Sequence, residues 1–135
     1  TSYDVSTSKN GFGNESHSYK TPLGVHKIEA KNGAGAKVGT IFKAGTSTGK
    51  IAPISRKPKD DRVGLLVTRI MRLKGCEPQN ASTYTRGIFI HGTNREGSIS
   101  RPDSGGCVRM KNEEIVSLYS FLNTGSYVKI VDKLN

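Results

Sequence analysis

The chain is 135 residues long, 33% hydrophobic, with 16 glycines and a formal net charge of +10 from 21 basic and 11 acidic side chains. That length suits one core and not two, and no apolar run approaches the roughly 20 residues of a membrane-crossing helix. The charge calls for an anionic partner. Nucleic acid is not the expected one, because the five Tyr and four Phe are not interleaved with the basic residues as a stacking platform requires.

Residues 1–20 are polar and loop-like, with Asn10, Gly11, Gly13 and Asn14. Residues 1–10 read as a poorly ordered N-terminal segment that holds at most a short strand near Tyr3–Val5. Thr21-Pro22-Leu23-Gly24 reads as a turn, since Pro fixes φ and Gly permits positive φ. Val25 to Ala30 alternates and reads as a strand, with His26 a packing residue. After the turn cluster 31–35, a strand runs from Val38 to Lys43. From Ala44 to Arg62 the composition shifts to Gly, Ser, Thr, Pro and charge. This reads as one long loop, a candidate flap.

Val63 to Leu73 is strongly apolar and reads as a long strand partly buried on both faces. Gly87-Ile-Phe-Ile-His91 forms a second apolar strand, with Ile88 and Ile90 on one face and Phe89 and His91 on the other. His91 is expected to end it, at the point where Gly92 leads the backbone out of the sheet. The next residues have loop character as far as Ser104-Gly-Gly-Cys107-Val-Arg109. Asn112 is placed to cap a helix over residues 112–123, with Glu113 and Glu114 at its positive end. Ile115, Leu118, Tyr119 and Leu122 share one face of that helix, and Gly125 ends it. Tyr127 to Val131 returns as a last strand.

Two strand ends joined by the 92–106 loop bring an imidazole and a thiol together. A thiol is a weak nucleophile until it ionises, and an adjacent imidazole can take its proton. Gly105 and Gly106 allow a sharp turn, so that the N–H groups of Gly106 and Cys107 converge on one point as an oxyanion site. The bland alternative is a small buried Cys107 and a hydrogen-bonded core His91. No zinc-type spacing, calcium loop, Gly-x-Ser-x-Gly elbow or P-loop is present, so no metal or cofactor is expected.

The stretch from His91-Gly92 to Ser104-Gly105-Gly106-Cys107-Val108-Arg109 resembles the signature of the L,D-transpeptidase catalytic domain, the YkuD family. That signature is His-Gly, a spacer of this length, Ser or Thr, a residue that is often a second His, then Gly-Cys, an aliphatic residue and Arg or Asn. Here Gly105 stands at the place of the second His. Arg86-Gly-Ile-Phe-Ile-His91 is similar to the strand that carries the family's histidine, and Lys20-Thr-Pro-Leu-Gly24 to its early turn.

The resemblance implies a mostly-β fold, a sandwich or flattened barrel with one helix after the catalytic cysteine, over residues 1–135 as a single catalytic domain. It implies a Cys107 nucleophile, a His91 base oriented by the Gly92 carbonyl, and the Gly106 N–H in the oxyanion site. Arg109, Ser104, Tyr84 and Arg86 would line the substrate groove. The implied reaction is peptidoglycan L,D-transpeptidation, forming 3-3 crosslinks through a Cys107 thioester with release of D-alanine from a stem peptide. The motif equally accommodates water as acceptor, giving a carboxypeptidase or a hydrolase of crosslinks; a different class is a cationic envelope-binding module that keeps the fold without the chemistry, against which the intact His91 and Cys107 argue and which Gly105 keeps open. The implied setting is the bacterial periplasm or cell envelope, with the chain a monomer and its start, Thr1-Ser-Tyr-Asp, a trimmed end from which an export signal was removed. A reactive Cys107 is incompatible with a permanent bridge to Cys76.

Overall fold

The computed structural model describes residues 2–58 and 62–132. Seven strands and one helix follow in the order β1 (Gly24–Asn32), β2 (Thr40–Lys43), β3 (Thr46–Ile51), β4 (Leu66–Gly75), β5 (Phe89–Thr93), β6 (Val108–Met110), α1 (Asn112–Phe121) and β7 (Tyr127–Ile130). The architecture is mostly β with one helix after Cys107, as the resemblance implies.

The sheet is built around β4. Antiparallel partners β1, β2 and β5 all pair with it, and β7 extends the sheet beyond β1. The exception to antiparallel pairing is β6, which lies parallel to β5 with Ile90 opposite Val108 and His91 opposite Arg109. A parallel pair needs a crossover. The 94–107 connection supplies it, and so returns the chain to the edge of the strand that carries His91.

The two faces of β4–β5–β6 differ in chemistry. Met71, Leu73, Ile88, Ile90, Val108 and Met110 cluster with Ile28, Ile115, Leu122 and Ile130 in the main core. Alternation along each strand sends Arg72, Phe89, His91, Cys107 and Arg109 to the opposite face. The helix covers the apolar side as its periodicity predicts: Ile115 and Leu122 are buried, and Leu118 and Tyr119 pack against the core.

Several expectations are corrected. The long loop over 44–62 contains strand β3, hairpinned to β2 through Ala44 and Gly45, both at positive φ (49° and 80°). Two consecutive positive φ values match the twist of a tight hairpin. β3 escapes pattern reading because all six of its residues are exposed, so no apolar alternation marks it. Farther on, Ser55 bridges Arg95, with its N–H donating to Asn94 O (2.8 Å) and its carbonyl accepting from Glu96 N–H (2.7 Å). The 52–58 stretch is thereby docked on the 94–97 turn, while positions 59–61 of the expected flap lie outside the described residues.

Tyr3–Val5 forms no strand, but the segment that follows does not hang free of the body. Ser6 and Ser8 are buried and bridge Arg109 and Ser104. Asn112 does not cap α1 from outside. It is the first helical residue, and the Glu96 carboxylate accepts from its N–H (2.8 Å) in the capping role. The helix ends at Phe121, before Gly125, which shapes the following turn at φ 92°.

Candidate active site

His91 is not at a strand end. It is the central residue of β5, flanked by Ile70 on β4 and Arg109 on β6, and is 3% exposed. A buried imidazole needs partners for its nitrogens. Nδ1 lies 2.6 Å from the carbonyl oxygen of Gly92. A carbonyl only accepts, so Nδ1 carries the proton and Nε2 is left as the basic nitrogen. Burial, with a smaller contribution from the Arg109 cation, pushes the His91 pKa down to about 4 against the support of the Gly92 bond. The resting ring is neutral and able to accept a proton.

Gly92 must be glycine for a reason of space. A Cβ there would stand 2.5 Å from Asn112 Oδ1 and 2.7 Å from Val67 O. The region behind it is a closed polar network. Asn112, 2% exposed, donates through Nδ2 to Thr93 O (2.8 Å) and Glu96 Oε2 (2.6 Å), and its Oδ1 accepts from Thr68 Oγ1 (2.5 Å). Thr68 sits at the β4 bulge opposite Gly92, fully buried and at φ 74°. A β-branched residue avoids that conformation unless its surroundings over-determine it. Here Gly39 N–H donates to its hydroxyl (3.0 Å) and Arg69 Nη1 to its carbonyl (2.6 Å).

Cys107 precedes β6. Continuing the β5–β6 register by one residue sets it beside Phe89, whose N–H donates to Sγ at 3.3 Å. Cys107 and His91 are thus diagonal neighbours on one face of adjacent strands. Strand spacing and rise put their Cα atoms roughly 8 Å apart, within joint reach of the two side chains, although the thiol and the imidazole share no hydrogen bond in this state. Burial raises the Cys107 pKa, opposed by the Phe89 N–H and by the cations of Arg109 and Arg86. Cys107 therefore rests as a neutral thiol.

The turn before Cys107 is braced from inside. Ser104, 2% exposed, donates to Cys107 O (2.6 Å) and accepts from Gly106 N–H (3.2 Å). Its hydroxyl is therefore engaged in shaping the turn. The Gly106 N–H, expected to point into an oxyanion site, faces that hydroxyl instead. Gly106 adopts φ 129°, and its carbonyl accepts from Thr21 Oγ1 (2.9 Å), which in turn accepts from Ser8 N–H (2.9 Å). The early Thr-Pro turn and the N-terminal segment thus hold the turn before Cys107 in place.

Arg109 is 9% exposed, and its guanidinium is bound to the Asp103 carboxylate, which also takes Arg95 Nη1 at 3.1 Å. Arg101, two residues before Asp103 in the chain, donates instead to Gly97 O (2.7 Å) and Pro58 O. Arg86 ties the 13–20 segment to the site, donating to Lys20 O (2.5 Å) and Gly13 O (3.3 Å). Tyr84, 38% exposed, stacks on Arg72 with 4.0 Å between guanidinium and ring centre. Sequence reasoning missed Asn112, Glu96, Asp103 and Arg72 as parts of this region. Only Asn112 carried a local signal, and it pointed to a cap. Cys76 and Cys107 are both free thiols, and no group of metal-ligating side chains occurs among the described residues.

A thiol and an imidazole of fixed tautomer stand on one face of a sheet, the thiol on a Ser-Gly-Gly-Cys turn, an arrangement chemically capable of cysteine acyl transfer. The chain belongs to the YkuD family of L,D-transpeptidase catalytic domains, whose model matches residues 1–130. It is 49% identical over 43 residues to the Bacillus subtilis (strain 168) protein named "Putative L,D-transpeptidase YqjB", covering 32% of this chain and 24% of that protein. It is 44% identical over 41 residues to "Putative L,D-transpeptidase YkuD" of the same organism, covering 30% of this chain and 25% of that protein. The matched stretch therefore spans about a quarter of each relative's length.

Proposed function

We propose that this domain, acting as one catalytic unit over residues 1–135, is a peptidoglycan L,D-transpeptidase that forms 3-3 crosslinks between stem peptides. The observation that supports this most directly is the pairing of Cys107 with a His91 whose Nδ1–H is held by the Gly92 carbonyl at 2.6 Å. That bond leaves Nε2 free to take the thiol proton when the donor stem enters.

In this reading the Cys107 sulfur attacks the carbonyl of the donor's third residue as its proton passes to His91 Nε2. The Cys107 N–H stabilises the oxyanion, joined by that of Gly106 as it exchanges its 3.2 Å bond to Ser104 Oγ for the developing charge. The tetrahedral intermediate collapses with cleavage of the bond to D-alanine, whose amine leaves with the His91 proton. A thioester remains. The amine of a neighbouring stem then attacks, losing its proton to His91, and the thiolate leaves and is reprotonated.

Arg109, with the Asp103 carboxylate on it, keeps a positive field beside both groups and borders the stem's binding groove. No cofactor takes part. The partners are stem peptides, the working form is a monomer, and the setting is the cell envelope.

The test is incubation with a tetrapeptide-bearing disaccharide, read by mass spectrometry, for the protein and its Cys107→Ala variant. A dimer joined through two third-position residues, with D-alanine released only by the unsubstituted protein, is the expected result. Tripeptide monomer alone would make the domain a carboxypeptidase. Unchanged substrate with folded, reduced protein would refute the catalytic reading.

A further inference from the structure

We propose that the open face of β7, β1 and β4 binds a linear polymer of phosphodiester-linked polyol units, held by Lys27, Lys74 and Lys129. This surface lies apart from the thiol and works without its chemistry. Strand register builds it. Lys27 on β1 is opposite Lys74 on β4 and Tyr127 on β7, and Val25 on β1 is opposite Lys129 on β7. Residues directly opposite share a face, and so do residues two apart along a strand. The five side chains therefore form two adjacent rows about 7 Å apart. In the neighbouring rows His26, Ile28, Leu73 and Val128 turn to the core side.

Lys74 and Lys129 are exposed, Tyr127 is 71% exposed, and Lys27 is half-buried. Among the described residues no ion pair or hydrogen bond engages the three ammonium groups. The Glu77 carboxylate feels the Lys129 charge but accepts from Val25 N–H at 2.6 Å. Glu29 sits at the β1 bulge, outside the register of these rows. Like charges set directly opposite each other destabilise a sheet, and no carboxylate of the described chain offsets the Lys27–Lys74 pair. An anion laid across the rows does.

The chemistry of the cations selects the anion. Lysine is a compact point charge that suits a phosphate, whereas a planar carboxylate is matched by an arginine fork. Arg72, two residues from Lys74 on the same face, offers no such fork: its Nε is inaccessible and its Nη2 donates to Tyr84 O at 2.9 Å. The Tyr127 hydroxyl adds a donor for a phosphate oxygen. One exposed ring makes no stacking platform for bases, and lysine rows without a broad apolar face do not embed in a lipid surface. A flexible chain with one negative link per short spacer meets both rows, and it complements the net charge of +10.

The probe is a synthetic glycerol-phosphate oligomer, titrated by calorimetry over a range of salt concentrations. The unsubstituted protein is compared with Lys27→Gln/Lys74→Gln and with Lys129→Gln. Lys43→Gln/Lys50→Gln removes the same charge as the first pair from β2 and β3, at the opposite edge of the sheet. Oligothymidylate, polyglutamate and phosphatidylglycerol vesicles are titrated at equal charge. We expect Lys27→Gln/Lys74→Gln to weaken oligomer binding about tenfold or more. The slope of log affinity against log salt should flatten by about 1.4, two contacts at about 0.7 each. Its melting temperature should hold or rise, because the like-charge pair is gone, and alkylation of Cys107 should be unchanged. Lys129→Gln should lose severalfold, and the control pair about twofold or less, since its charges lie beyond the screening length of the rows. If the Lys27→Gln/Lys74→Gln protein does not fold, the loss in Lys129→Gln measured against Lys43→Gln decides.

No binding of the oligomer, an equal loss in the control, or tighter binding of oligothymidylate, polyglutamate or the vesicles would overturn the assignment. Each of these results leaves acyl transfer standing, because that reaction is read separately with the disaccharide tetrapeptide.

Discussion

Gly92→Ala tests whether the backbone behind His91 is as closely packed as it looks. One methyl group is added, 2.5 Å from Asn112 Oδ1, 2.7 Å from Val67 O and 3.0 Å from Thr68 Cβ. Two of these neighbours cannot swing away. Val67 O is backbone in the β4–β5 pairing, and Asn112 is fixed by bonds to Thr93 O, Glu96 and Thr68. Overpacking of this kind costs about 1–3 kcal/mol, which for a domain of this size lowers the melting temperature by roughly 4–12 °C. The strand must shift, and the Gly92 carbonyl that fixes the His91 tautomer shifts with it. Thioester formation should fall by about tenfold or more, since a misaligned base loses most of its contribution. Gly105→Ala is the control: nothing lies within 4 Å of its added Cβ, so stability should stay within about 0.5 kcal/mol. Thermal melts and single-turnover acylation measure both. A Gly92→Ala protein that melts with the parent and acylates at its rate would refute the argument that His91 depends on this packing.

Burial holds the His91 pKa near 4, below its ordinary 6.5, and lowers that of His26 in the same direction. The unfolded chain therefore binds more protons below pH 6.5, so stability is full above that pH and declines as pH falls toward 4. For His91 alone the loss by pH 4.5 is about 2–3 kcal/mol. Urea unfolding at pH 7.5 and 4.5 should give a smaller difference for His91→Gln, and an equal difference would sink the assignment. Asp103→Asn removes the carboxylate between Arg95 and the 9%-exposed Arg109, leaving two cations face to face. The expected loss is about 2–3 kcal/mol after allowing for Asp103's partial exposure, and a melting temperature within about 2 °C of the parent would contradict it. Cys107, its pKa raised by burial, should alkylate with iodoacetamide more slowly at pH 7 than the exposed Cys76. Peptide mapping decides, and preferential labelling of Cys107 would mean that its resting form is the thiolate.

Elements with a one-dimensional signature were legible in the sequence. The helix showed itself through Ile115, Leu118, Tyr119 and Leu122, and β4 through a strongly apolar run into which Arg69 and Arg72 intrude. The cysteine and histidine were legible because the spacing and glycines around them match a known signature. What stayed hidden depends on partners distant in the chain. β3 has no buried face and could be seen only through its pairing with β2. His91 looked like a strand end because Gly92 usually breaks strands. In the fold, Asn112 and Val67 O occupy the space a side chain would need, so glycine is what lets β5 continue. Ser6, Ser8 and Thr21 look like any polar loop. Their roles arise from bonds to Arg101, Tyr19 and Gly106 across 95, 11 and 85 residues of chain.

The electrostatics around Cys107 and His91 explain how a thiol of this kind can rest safely. Forming the thiolate–imidazolium pair requires the proton to move from Cys107 to His91, at a cost set by the gap between their pKa values. Burial widens that gap from both ends, raising the thiol and lowering the imidazole. Arg109 cannot close it, because its charge lowers both groups together. In the proposed reaction its field would favour the negative charge that leaves the sulfur for the carbonyl oxygen during attack, a charge absent from the resting state. The arrangement disfavours ionisation without substrate and stabilises the charge created by reaction. A thiol kept neutral is also a poor target for oxidation, which proceeds through the thiolate. In the proposed reaction, the same burial that keeps the Cys107 thiol neutral would give the cations around it their leverage on an oxyanion.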